Sequence, residues 1–216
     1  MKRIISSIGK SIVFLVSFLI AQTLALIIFR GLSIMLKTEY DSIMVLLLST
    51  ITAYIILFSI FYKQDFKLLV HSLKEYTKKR DLLYGLLLGI LIIIVVGLIS
   101  RILPQPSSVN NTSLLVQHNI LIAGIFVVLI APVLEEILFR GILVNKVGVV
   151  FSSILFSVIH IGSGDLYSII YPAIITFIIG SVLGTAYNKT ESLLLVILAH
   201  SIYNIFILFI FVNKRY

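Results

Sequence analysis

Residues 120–147 read ILIAGIFVVLIAPVLEEILFRGILVNKV. At about 1.5 Å per residue this stretch is long enough, as a helix, to cross a hydrocarbon layer of about 30 Å. Three ionisable residues, Glu135, Glu136 and Arg140, stand in its apolar interior. Each is expensive to place in a bilayer, by a few kcal/mol on insertion scales, so such groups mark function. Arg140 follows Glu136 by four positions and shares its helical face, where an ion pair offsets part of the burial penalty. Glu135 is rotated by about 100° from Glu136 and has no such partner on its own helix.

Outward from this segment the chain repeats the same apolar character. Of its 216 residues, 60% are hydrophobic and 12% charged, which lies outside the range of soluble globular domains. The reading is an all-α, polytopic membrane helical bundle of about seven to eight transmembrane helices. Apolar stretches fall at residues 12–35, 42–62, 82–103, 120–147, 149–161, 168–187 and 192–212. The amino-terminal run passes Ala21 without a small-residue cleavage pattern and is expected to be a retained helix. Two regions are distinguished: 1–110, membrane helices with a basic cytoplasmic loop at 63–81, and 111–216, which carries the candidate site.

Absent cysteine excludes disulfides, thiolate catalysis and Cys-ligated zinc. The 17 basic residues lie mainly at the chain ends and in connections, which is a topology and lipid-headgroup signal rather than a nucleic-acid surface. Membrane lipids are therefore expected neighbours and nucleic acid is not. Lys63, Lys67, Lys74, Lys78, Lys79 and Arg80 predict a cytoplasmic, amphipathic 63–81 loop, and Lys2, Arg3 and Lys10 a cytoplasmic amino terminus in a cell membrane. Counting onward puts Lys214 and Arg215 outside, against the same rule.

Of four histidines, His160 and His200 fall inside apolar runs. With turns near residues 146–148 and 188–190, Glu135 and His160 each lie about 18 Å from one membrane side, His200 about 16 Å and Asn204 about 22 Å. Four polar groups thus converge on one layer. His200 and Asn204, four residues apart, share a face. The fifth stretch is too short to span the membrane, so Gly162-Ser163-Gly164-Asp165 is expected to dip inward beside His160.

One chemistry for this layer is water activation by the Glu135 carboxylate with the His160 imidazole holding the water, while His200 and Asn204 stabilise an oxyanion. Structural hydrogen bonding between helices is the competing reading, and for Glu136 with Arg140 a supporting ion pair explains the residues equally well. No cofactor is favoured. Zinc is the alternative, on Glu135, His160 and His200, although these lie on three helices and no HExxH spacing is present.

Glu135-Glu136-Ile-Leu-Phe139-Arg140, Phe156-Ser-Val-Ile-His160 and His200-Ser-Ile-Tyr-Asn204 resemble the EExxxR, FxxxH and HxxxN motifs of the CPBP family. That family holds CAAX prenyl endopeptidases and bacteriocin-processing or bacteriocin-immunity membrane proteins, and is also called Abi. The resemblance covers about residues 115–210. It implies a membrane endopeptidase in which Glu135 activates water, His160 assists, and His200 and Asn204 form the oxyanion site. Glu136 and Arg140 fill the remaining motif positions. The family has been labelled metallopeptidase, whereas its prenyl-protease branch favours a glutamate mechanism without metal. The expected partner is a peptide or lipidated protein substrate. Bacteriocin processing and self-immunity are branches that the motifs do not separate, and oligomeric state stays open. A non-catalytic scaffold or regulator that binds another membrane protein is the alternative, and a proton-relay transporter a third.

Overall fold

A computed structural model describes residues 2–36, 42–67, 80–103, 119–161 and 165–213. Every regular element among the described residues is helical. Five helices are long and apolar enough to cross a membrane, and the apolar helices Leu47–Phe61 and Val149–Ile159 are shorter. The protein is thus an all-α, multi-pass membrane protein. The chain divides into two compact units, Met1–His71 and Ser72–Tyr216. Sequence had drawn its division at 110/111, which lies outside the described residues, as does most of the 63–81 loop.

The first unit is a helical hairpin. Helix α1 spans Lys2–Leu36, about 52 Å of rise, and α2 spans Ser42–Ile56 before a wider π turn at Leu57–Phe61. Phe14, Phe18, Tyr54, Phe58 and Phe66 form a ladder of rings 5.0 to 6.4 Å apart between centroids. Pairs at such spacing add specific edge and face contacts to apolar burial.

The second unit contains α3 (Arg80–Ile102), α4 (Ile120–Val147), α5 (Val149–Ile159), α6 (Leu166–Thr190) and α7 (Leu193–Asn213). Asn119 starts α4, its side-chain oxygen accepting from the amides of Leu121 and Ile122 at 3.0 and 3.1 Å. Gly148, at φ 86°, ends α4 and begins α5 in one step, a backbone conformation that a side chain would strain. Asp165 caps α6 by accepting from the amide of Ser168 at 2.9 Å.

Two glycine pairs set the helix spacing. On α3, a Cβ at Gly85 would meet the Leu195 carbonyl oxygen at 2.8 Å, and one at Gly89 would meet Ile202 Cβ at 2.8 Å. On α6, Cβ atoms at Gly180 and Gly184 would stand 3.3 Å from Ser153 Cα and 3.0 Å from Val149 Cγ1. Apolar side chains gain little from one another over lipid, so small residues that admit close backbones hold membrane helices together. The α3–α7 seam is closed at its end by a polar clamp. Ser192 donates to Asp81 Oδ2 at 2.7 Å, and Asp81, assigned from sequence to a loop, is buried.

Candidate functional site

The site is assembled from α4, α5 and α7. Helix α4 is not a uniform rod: it winds as π helix over Ile125–Ile130 and Ile137–Val144, with an α-helical segment, Ala131–Glu136, between them. That short segment carries both glutamates. Helix α5 ends at Ile159 with His160 as its C-cap, and the inward dip expected at 162–165 falls mostly outside the described residues. Ser152 Oγ donates to the Phe139 carbonyl at 2.7 Å and Ser157 Oγ to the Ala173 carbonyl at 2.8 Å, so α5 is tied to α4 on one side and α6 on the other. These serines bear on the position of His160, and nothing in their sequence pattern singled them out.

Both imidazoles are oriented through Nδ1. His160 Nδ1 lies 2.7 Å from the Phe156 carbonyl oxygen, which only accepts, so this nitrogen carries the proton. His200 Nδ1 lies 2.7 Å from Glu136 Oε1. Each ring therefore turns Nε2 toward Glu135, whose Oε2 is 3.7 Å from His160 and 3.9 Å from His200. At that separation a single water can reach both atoms of a pair from the side, about 2.8 Å from each. Exposure falls across the cluster, from 30% at the His160 side chain through 14% at Glu135 to 7% at His200. The site is thus open on the α5 side.

Glu136 is fully buried and accepts from Arg140 Nη1 at 2.9 Å as well as from His200. Sequence periodicity paired Glu136 with Arg140 but gave it no link to the histidines. The structure makes it the direct partner of His200, and such charge-assisted bonds are about twice as strong as neutral ones. The Arg140 guanidinium carbon lies 4.4 Å from the Phe156 ring centroid. The same ring meets Phe139, His160 and His200 at centroid distances of 5.0, 4.4 and 6.0 Å. Phe156, read from sequence only as a motif letter, is the apolar wall against which the histidines rest. Asn204, four residues beyond His200 on α7, donates from Nδ2 to the Val127 carbonyl of α4 at 2.8 Å.

Fold and site together define a polytopic helical membrane protein with a half-buried carboxylate–histidine cluster open at one edge. Residues 117–206 match the family model described as type II CAAX prenyl endopeptidase, Rce1-like, the grouping that the three motifs indicate. The matched segment is 90 of the 216 residues. It spans the whole cluster and leaves α1 to α3 outside. Neither a curated protein nor a solved structure matches the chain.

Proposed function

We propose that the protein is an intramembrane endopeptidase that hydrolyses a peptide bond of a membrane-associated, lipidated or secreted peptide with water activated by Glu135. The observation that carries this reading is the convergence of Glu135 Oε2 with the Nε2 atoms of His160 and His200 at 3.7 and 3.9 Å from three separate helices.

The donor pattern supports this chemistry. With Nδ1 of His160 committed to the Phe156 carbonyl, the neutral ring offers Nε2 only as an acceptor. A water between Glu135 and His160 gives one hydrogen to each, which leaves its lone pairs free for a substrate carbonyl carbon. As the new C–O bond forms, Glu135 takes one proton. The carbonyl oxygen becomes an oxyanion, for which His200 is the stabilising donor when its ring carries protons on both nitrogens, Nδ1–H facing Glu136 and Nε2–H facing the site. Collapse breaks the C–N bond, and the proton held by Glu135 passes to the departing amine. Burial of the cluster strengthens each of these electrostatic interactions relative to water.

Zinc is the cofactor alternative. One carboxylate oxygen and two imidazole nitrogens are donors that zinc accepts, but ligands about 2.0–2.1 Å from a tetrahedral ion stand only about 3.3–3.4 Å apart. The 3.7 and 3.9 Å separations here exceed that, and no described group of His, Asp and Glu closes to a ligand shell. No step above runs through a metal. The chain is placed, on its basic residues, in the cell membrane with a cytoplasmic amino terminus.

Glu135→Gln tests the reading. It keeps the side-chain shape, so the protein should accumulate and unfold as the wild type does while cleavage of membrane peptides disappears. A peptidome comparison of cells carrying each form would then name the substrate. Retained cleavage by the variant would remove Glu135 from the reaction.

A further inference from the structure

Pro132 lies inside α4, three residues before Glu135. A proline has no backbone N–H, so one carbonyl on the preceding turn loses its helical donor. In an α register that carbonyl would be Val128, four residues back; in a π register it is Val127, five back. Helix α4 is in π register at this point. The Ala131 amide donates to the Phe126 carbonyl, five residues back, and so leaves Val127 to Pro132, which cannot serve it. An unsatisfied carbonyl at membrane depth carries a penalty of several kcal/mol. It is met from another helix by Asn204 Nδ2 at 2.8 Å.

We infer that Asn204 is a positioning residue, which supplies the hydrogen bond that Pro132 withholds and so holds the Ile125–Ile130 turn in the π register that aims Glu135 at the two histidines. A helix that gains or loses one residue in a turn rotates everything beyond it by about 100°. Glu135 begins only five residues past the end of this π segment, so the register decides whether its carboxylate or a neighbour faces His160 and His200. The amide hydrogen involved is committed to α4. This influence of Asn204 on the rate passes through Val127, while the second hydrogen of the same amide is left for the oxyanion. The inference rests on Glu135 as the reacting group and adds a positioning role to the oxyanion role expected for Asn204.

Pro132→Ala supplies the test, because it returns an N–H five residues beyond Val127. The full-length protein, with carbonyl-labelled valine and a Val127→Ile control to assign the band, is followed by isotope-edited infrared spectroscopy and by peptide cleavage. In Asn204→Ala, and in the similar-sized Asn204→Leu, which has no side-chain donor, the Val127 band should rise in frequency and cleavage should fall by about a hundredfold or more, the loss from a misplacement of about 1 Å being the lower bound for a change of register. In Pro132→Ala/Asn204→Ala the band should return and cleavage recover by about tenfold or more. A band unmoved by loss of Asn204 overturns the proposal, as does one that fails to return in the double variant. A band that returns without any recovery of cleavage overturns it too, since the loss of cleavage would then owe nothing to the register. If the wild type cleaves no peptide, the endopeptidase reading fails by itself, and the infrared bands still decide whether Asn204 holds the register.

Discussion

Gly89→Ala adds one methyl group on α3, outside the segment that matches the protease family, and should nonetheless disable the site. The new Cβ would stand 2.8 Å from Ile202 Cβ, 2.9 Å from Ile202 Cγ2 and 3.0 Å from the Ala199 carbonyl oxygen. Carbon atoms rest at about 3.5–4.0 Å from one another, so α3 and α7 must separate by up to about 1 Å. The obstructing atoms are a β-branched side chain at its stem and a backbone oxygen, neither of which swings aside. Overpacking of this kind destabilises by about 1–3 kcal/mol. Ile202 lies between His200 and Asn204, so the displacement is delivered to the site itself, where about 1 Å corresponds to roughly a hundredfold in rate. The assay is kcat/KM for peptide cleavage in detergent or vesicles beside thermal unfolding of the same samples. Ile202→Gly in the Gly89→Ala background removes both side-chain contacts, leaving only the Ala199 carbonyl oxygen at 3.0 Å, and should recover part of the activity. Wild-type activity and stability in Gly89→Ala would refute the view that this glycine sets the α3–α7 distance.

Glu136→Gln retains an acceptor for His200 and Arg140 but removes the charge from a fully buried pair, so unfolding stability should fall by about 3–5 kcal/mol in calorimetry or denaturant titration, with cleavage lost in the same variant. Bonds from the Ser168 side chain and amide hold the Asp165 carboxyl below its ordinary 3.8. A depressed folded value means that the cap contributes fully above the unfolded value and is lost as pH falls through the folded one. The difference in melting temperature between wild type and Asp165→Ala should accordingly be constant above about pH 5 and shrink below 3.8, and a difference that grows in acid would contradict the assignment.

Hydropathy was enough to identify a membrane protein and to delimit its helices, because the energy of placing an apolar residue in lipid depends on that residue and not on its neighbours. The residues 120–147 were read as one segment, and the helix occupies the same bounds. The penalty on buried charge likewise pointed to Glu135, Glu136, Arg140, His160 and His200, since so few ionisable groups stand in apolar runs. The glycine seams, Gly85-x-x-x-Gly89 and Gly180-x-x-x-Gly184, were not singled out in the sequence, because only the structure shows which helix each one meets.

Partners across helices were decided by tertiary structure alone. Spacing along one helix states which residues share a face, but which residue of a second helix stands opposite depends on crossing geometry and on rotation about the axis. Two π segments in α4 alter that rotation and leave no hydropathy signal, because lengthening a turn by one residue changes phase without changing composition. The pairing of Glu136 with His200, the wall made by Phe156 and the reach of Asn204 to Val127 all follow from it. Sequence by itself determined that a set of polar side chains must meet inside a membrane. Only the tertiary structure decided that Glu135 turns toward both histidines while its neighbour Glu136 holds one of them in place.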